Sequence, residues 1–487
     1  MKKILSFLMA LALSVTCLAA FVGCADKGDV EEGATLIRMI ALECPDYQKE
    51  WYKKTEKAFN SNMNDGIQLK ITYDSKGNLS SSIATTLEGK EQTAIYWCSP
   101  GNIYGTFIKP RYAANLLNLL SEETINDLTP EAKEAVMFGD KMYAYPLYFE
   151  PSMMFFYSKS VLADAGVDTT NVDNWKWGDL FDACAKVKAN TSFNGKSTKF
   201  PIAVPWGQAL FWATTGMELQ TVGEQALDET WMGINLDAED EGWRAMSSFF
   251  WDIYMNGYAP SAMDSTVEYD DIVSRLIKGQ FAMTIGYSAG MAEVNHQYGN
   301  SAKFNDIGFA KMPMWEKARL PEEGAAVNGG WTYVINNRLD SETAQKAAKV
   351  IEFFTYDGTQ ASVERQAEFF EICAYSRVSP SKATRAYMDT LDIDARFDYR
   401  HLIQEVADSS NTAPHYLDAA QIELSSEAYD MRKATKEVKQ KNNNRVIPSS
   451  DPIAIAKIKE CINTAKQKMQ AALEKDPTPN PNLTSAQ

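Results

Sequence analysis

Residues 35 to 97 switch between two hydrophobic periods in strict succession. Thr35 to Leu42 is an apolar run of strand length. A Glu43-Cys44-Pro45-Asp46 loop follows, then a stretch with Trp51, Thr55, Ala58 and Phe59 on one helical face. Ile67, Leu69, Ile71 and Tyr73 alternate as a second strand, a short helix carries Ile83 and Leu87, and Ala94 to Trp97 forms a third strand. Parallel neighbours need a crossover and a helix supplies it, so this βαβαβ opening predicts an α/β fold with a mostly parallel sheet and helices on both faces. Ligands of such sheets sit beyond the carboxyl ends of the strands. Glu43 and the Trp97-Cys98-Ser99-Pro100-Gly101 loop fall there.

A chain of 487 residues is long enough for two to four domains. Its 45% hydrophobic and 23% charged content permits a full core. The net charge of -16 repels nucleic acid and anionic membrane faces, which argues against both as partners. Of seven cysteines, Cys44, Cys98, Cys184, Cys373 and Cys461 are scattered beyond the leader without metal-ligand spacing. With only His296, His401 and His415, no multi-histidine metal centre is expected, and nothing calls for a cofactor. Whether Cys44 and Cys98 pair is open.

The amino terminus reads as a targeting segment. Lys2 and Lys3 precede an apolar run from Ile4 to Ala20 and then Phe21-Val22-Gly23-Cys24, the charged start and small-residue exit of a secretion signal. Residues 1–23 read as the signal, and residues 24–34 as a flexible tether, small, acidic and without periodicity. No later stretch is long and apolar enough to span a bilayer.

In the middle, Gly139-Asp140-Lys141 feeds a short aromatic strand that Pro146 is expected to stop. After Glu150, the unalternating run Ser152 to Tyr157 suits a strand buried on both faces, as in a parallel sheet. A short helix capped by Ser158 or Ser160 ends at Gly166. Trp177, Leu180, Phe181, Cys184 and Val187 mark an amphipathic helix, and Phe200 to Val204 is a strand leading into Pro205-Trp206-Gly207-Gln208. Trp243 to Tyr254 and Ser341 to Phe354 read as helices. The last helix carries Ile455, Ile458, Ile462, Ala465, Met469 and Ala472 on one face. Residues 477–487, rich in Pro and Asn, are expected to be disordered.

Several segments resemble, in the same order, the extracellular solute-binding proteins of ABC importers, in the branch that carries sugars and oligosaccharides. The Gly-Asp-Lys turn, the Pro at the crossing, Tyr157-Ser158-Lys159 and Ala165-Gly166 are similar to that family's central segment, with Ser158 replacing its Asn. Lys278 to Tyr287, Ile307 to Pro313, Val327 to Ile335 with Gly329-Gly330-Trp331, and Arg377 to Ala383 are similar to its later strands and turns. Phe21 to Cys24 resembles the bacterial lipobox, with Phe21 at its usual Leu, and implies a lipid on Cys24. The resemblance implies a two-lobe, type II periplasmic-binding-protein-like fold with three crossings and a ligand cleft between lobes. The expected lobes are residues 33–146 plus 284–337, and residues 147–283 plus 338–476. It also implies a monomer that captures a carbohydrate by closure, delivers it to ABC permease subunits, and is held on the outer face of a membrane through Cys24.

A sugar offers C–H faces to aromatic plates and hydroxyls to carboxylates, amides and arginine. The candidates at predicted strand ends and family positions are Glu43, Trp97, Ser99, Glu150, Trp206, Trp212, Tyr287, Gly330, Trp331 and Arg377. Trp97 and Trp331 are the expected stacking plates, Glu43 and Glu150 the hydroxyl acceptors, and Arg377 a donor or a lobe-bridging group. Peptides and other polar solutes also suit aromatic plates. Enzymatic alternatives are an esterase built on Gly286-Tyr287-Ser288-Ala289-Gly290 with His401 or His415, and a glycosidase using Glu43 and Glu150.

Overall fold

The structure is a computed structural model that describes residues 33–62, 66–75, 79–88, 93–152, 154–190, 200–204, 208–260, 269–299, 301–320, 327–409, 411–412, 430–477 and 479–480. The strands are β1 (Thr35–Leu42), β2 (Ile67–Asp74), β3 (Ile95–Cys98), β4 (Met137–Phe138), β5 (Lys141–Met142), β6 (Tyr145–Pro151), β7 (Met154–Ser158), β8 (Phe200–Ala203), β9 (Phe281–Gly286), β10 (Ile307–Lys311), β11 (Val327–Ile335) and β12 (Asn411–Thr412).

Two sheets organise the chain into two lobes. In the first, β1 pairs in parallel with β2 and β3, as the alternating periods require. β11 then joins β3 antiparallel on one edge, continues along that edge to a short parallel pairing with β12, and takes β6 antiparallel on the other edge. Helices Asp46–Asn62 and Ser341–Phe354 pack on this sheet, and Gln360–Ile372 packs on Asp46–Asn62. The second sheet has the order β10-β7-β9-β8. Helices Trp177–Ala189 and Tyr269–Ile277 lie against it. Helices Gln208–Thr221, Glu241–Met255, Met431–Lys441 and Pro452–Lys475 build outward as one bundle.

Pairing in the second sheet differs from expectation, since β7 is antiparallel to both β9 and β10 and only β8 is parallel to β9. Every residue of β7 is buried, and burial on both faces removes alternation whatever the strand direction. Pro146 does not end its strand. It lies inside β6 at a register shift opposite Thr332, where β6 has β11 along one side only, so the missing N–H breaks no second ladder.

The chain crosses at Pro151 to Met154 and again between β10 and β11; after the Lys382–Met388 helix Phe397 packs on Phe304 of the second lobe, yet the chain is back in the first sheet at β12 and in the second-lobe bundle from Met431. The expected lobe boundaries shift accordingly: β6 belongs to the first sheet, β9 and β10 to the second, and Ser341–Phe354 to the first. Membership is set by distant partners that a strand's own residues do not specify. Helix Tyr399–Ser409 bridges, packing on β6 of one sheet and β10 of the other. Ser158 caps the helix that follows β7, accepting from Val161 N at 3.3 Å, and Gly166 ends that turn with φ 72°.

Candidate functional site

The lobes meet over the β6/β11 ladder. Glu150 pairs with Gly329 and Tyr148 with Trp331 in register, and cross-strand partners share a face, so these four residues lie on one surface. Gly329 leaves a gap there that the ring of Tyr287, arriving from the end of β9 in the other lobe, fills. Gly330 has φ 129°, and a Cβ at that position would overlap the Tyr148 carbonyl, so only glycine lets the strands approach. Trp331 and Tyr287 remain half-buried.

Glu150 is held by Arg377. Their Oε1 and Nε are 2.6 Å apart, with the side chains 14% and 7% exposed, so the pair is largely shielded from solvent. Arg377 also lies 4.9 Å over the Tyr148 ring. The hydrogen-bond network assigns the Gln48 amide oxygen to face Arg377, accepting from Nη1 at 2.9 Å and Nη2 at 2.8 Å. Burial works against the charge on Arg377, but Cys373 and Glu150 beside it prevail and hold the guanidinium protonated well above its ordinary range. Burial pushes the Cys373 thiol up to about 11 and the Cys44 thiol up to about 12, so both stay neutral thiols.

Two further contacts join the lobes. Tyr47, in the first turn of Asp46–Asn62, stacks on His296 of helix Gly290–Tyr298 with centroids 3.8 Å apart and planes at 18°. Tyr104, in the turn that follows β3, meets Trp231 of the segment between helices Gln208–Thr221 and Glu241–Met255, edge to face at 5.3 Å. Neither tyrosine nor its partner lies in a periodic pattern. The only sequence signal for them is an aromatic shortly after a first-sheet strand.

The remaining candidates separate clearly. Trp97 is 1% exposed, packed among Tyr52, Tyr333 and Trp331, and so it backs Trp331 from the core and offers no open face. A strand-end position does not decide which side of the sheet a ring takes. Glu43 is exposed beyond β1 and engaged by Lys49, outside the Glu150 cluster. Ser99 is half-buried at the carboxyl end of β3, before the Pro100–Asn102 turn. Gly330 is buried and contributes backbone. Arg377 acts by holding Glu150. Trp206, Cys24 and His415 lie outside the described residues, as does the Trp212 side chain. Cys44 and Cys98 are free thiols.

The Ser288 hydroxyl of the Gly-x-Ser-x-Gly segment is fully buried, with no hydrogen bond among the described residues. His401 is exposed on its own helix. The segment turns the chain from β9 into the next helix, and Ser288 N donates to Pro151 O at 3.1 Å, tying that turn to the first crossing.

Two α/β lobes joined by more than one passage, meeting over a surface of half-buried aromatics and a braced carboxylate, define a two-lobe solute-binding protein. The model of the bacterial extracellular solute-binding protein family matches residues 52–383, and the chain belongs to that family. No curated protein sequence is significantly similar to it. Among solved structures, the GacH receptor of Streptomyces glaucescens, known unliganded and with acarbose, is similar at TM-score 0.66 and 15% identity, over 91% of this chain and 100% of that one. A solute-binding protein of an ABC transporter from Thermotoga lettingae, bound to α-D-tagatose, is similar at TM-score 0.67 and 15% identity, over 90% and 100%. UgpB of Mycobacterium tuberculosis, in complex with glycerophosphocholine, is similar at TM-score 0.66 and 15% identity, over 91% and 100%. Among the described residues no helix is long and apolar enough to cross a membrane.

Proposed function

We propose that this protein captures a carbohydrate, an oligosaccharide, by closing its lobes around it, and presents it unchanged to the permease of an ABC importer. The observation that carries this reading is the shared surface of Trp331, Tyr287 and Glu150 at the lobe junction. Half-buried aromatics suit the C–H faces of a sugar, and a fixed carboxylate suits its hydroxyls. Similar folds in complex with acarbose and with tagatose support the substrate class.

Glycerophosphocholine in UgpB raises the reading of a charged polar solute. Arg377, the cation beside Glu150, is already committed to Glu150 and Gln48, and this favours an uncharged, hydroxylated guest. Catalysis is not part of the reading, because the Ser288 hydroxyl is enclosed and Glu150 is tied to Arg377. Cys24, as a lipidated first residue of the mature chain, would tether the protein monomer outside the membrane. Loss of membrane association in a Cys24→Ser variant checks that anchor.

A melting-shift screen tests the substrate class. A ligand at a hundred times its Kd stabilises by about 2.7 kcal/mol, a clear upward shift in Tm. The expected result is stabilisation by one or more mono- or oligosaccharides and none by glycerophosphodiesters or short peptides. Stabilisation by those solutes alone would overturn the assignment.

A further inference from the structure

The chain's last described residues were expected to be disordered, yet they make contacts on both lobes. Helix Pro452–Lys475 belongs to the second-lobe bundle, packing on Glu241–Met255 and Met431–Lys441. Directly beyond it, Asp476 Oδ1 accepts from Lys109 Nζ at 2.6 Å. Lys109 follows the Tyr104–Ile108 turn of the first lobe. The Tyr104 hydroxyl donates a long hydrogen bond of 3.5 Å to the Pro479 carbonyl. Asn480 then returns to the second lobe, its N donating to Thr230 O at 2.9 Å and its Nδ2 to Glu229 O at 2.7 Å.

The hairpin that receives Asn480 is itself held in an unusual shape. Leu227 bridges Ile234, and Asp228 Oδ1 accepts from Thr230 N, Thr230 Oγ1 and Gly233 N at 2.9, 2.6 and 3.1 Å. Trp243 Nε1 donates to Asn235 O at 3.0 Å and ties the hairpin base to the second-lobe bundle. At its tip Trp231 has φ 63°, a conformation a bulky side chain adopts only when its surroundings impose it. That backbone places its ring against Tyr104 across the lobe boundary. Tyr104 and Lys109 therefore meet one second-lobe surface made jointly by the Trp231 hairpin and the carboxyl-terminal segment.

We infer that Asp476, Pro479 and Asn480, together with Trp231, form a clasp that lobe closure engages and opening releases. The inference rests on the lobe-closure reading and adds to it a device outside the solute-contacting surface. Asn480 bonds two backbone carbonyls of the Trp231 hairpin, and the helix before the segment belongs to the second-lobe bundle, so the segment stays with the second lobe when the lobes part. Parting breaks the Lys109–Asp476 pair, the Tyr104–Pro479 bond and the Tyr104–Trp231 contact together. The clasp biases the empty protein toward closure, and it slows release of any captured solute. Both ends of the ion pair reach solvent, with Lys109 36% and Asp476 69% exposed, so its share weakens as salt rises.

Pulsed dipolar spectroscopy on the full chain tests this without any solute. Spin labels at Lys57→Cys on the first lobe and Lys466→Cys on the second report the inter-lobe distance, since both positions are exposed and the described native cysteines are buried. Compared are the otherwise wild-type chain, a chain ending at Lys475, Lys109→Glu, and the charge swap Lys109→Glu with Asp476→Lys. The expected result is an open-to-closed ratio raised about three- to tenfold by truncation, raised less by Lys109→Glu, and returned toward wild type by the swap. Two distance populations present throughout and unmoved by truncation or by Lys109→Glu overturn the clasp and leave closure standing. One narrow population in every chain overturns both.

Discussion

Arg377 and Glu150 are 227 positions apart in the sequence and 2.6 Å apart in the fold. Removing one partner of a shielded pair costs more than the pair is worth, because the other is left as an uncompensated charge. Arg377→Ala is expected to lower stability by about 3 kcal/mol, measured by urea unfolding, since it strands Glu150 and the Gln48 oxygen together. A loss under about 1 kcal/mol would show that water compensates both.

Glu218 gives a second prediction at this scale. It is fully buried in helix Gln208–Thr221, its Oε2 accepts from Ala226 N at 2.9 Å, and burial raises its pKa from 4.5 to about 8. The folded state therefore binds the proton more tightly than the unfolded chain. This contribution to stability is complete below pH 4.5 and is lost as pH rises toward 8, by at most a few kcal/mol. Glu218→Gln keeps an acceptor for Ala226 N and removes the titration. Unfolding at pH 5 and at pH 8.5 should show the variant gaining on wild type at the higher pH. An equal difference at the two pH values contradicts the assignment.

At the scale of elements, the opening β1 to β3 was legible because a change of period is a property of consecutive residues, and its strands and helices lie where the pattern placed them. Helix Ser341–Phe354 matches its predicted bounds for the same reason. What was not legible depends on partners far along the chain. Pro146 is tolerated because β6 has β11 on one side only, and β9 and β10 join the second sheet because β7 pairs with both. Ile455, on the apolar face read from the last helix, is 37% exposed, since the bundle covers only Ile458, Ile462, Ala465, Met469 and their neighbours. Of the candidate site, Glu150, Tyr287 and Trp331 were picked as polar or aromatic residues at strand ends, and the structure brings them to one surface. Trp97 was misplaced because its ring turns into the core, and His296 was seen only as one of three scattered histidines.

The β6/β11 ladder supplies the test at this scale. Gly330→Ala places a Cβ on the Tyr148 carbonyl at a φ that L-residues avoid, and is expected to cost at least about 2 kcal/mol. The same substitution should weaken solute binding, because Glu150 and Trp331 take their spacing from that ladder. A variant with wild-type stability in thermal unfolding would mean that the strands separate there at little cost.

For the whole molecule, two sheets are linked by the chain passing between them and by a bridging helix, Tyr399–Ser409, that packs on β6 of one and β10 of the other. Contacts between lobes among the described residues include Tyr287 over Gly329, Tyr47 on His296, and Tyr104 against Trp231. A guest that touches both lobes stabilises their closed arrangement by its differential affinity for it, which is how a binding protein signals occupancy without chemistry.

The most direct test takes the solute that stabilises the protein most in the melting screen. It is titrated calorimetrically into wild type and into Trp331→Ala, and the solute is then recovered. One-to-one binding, a loss of affinity of about tenfold or more in the variant, and a chemically unaltered solute are the predicted results. Equal affinity without Trp331, or a cleaved solute, would contradict the account.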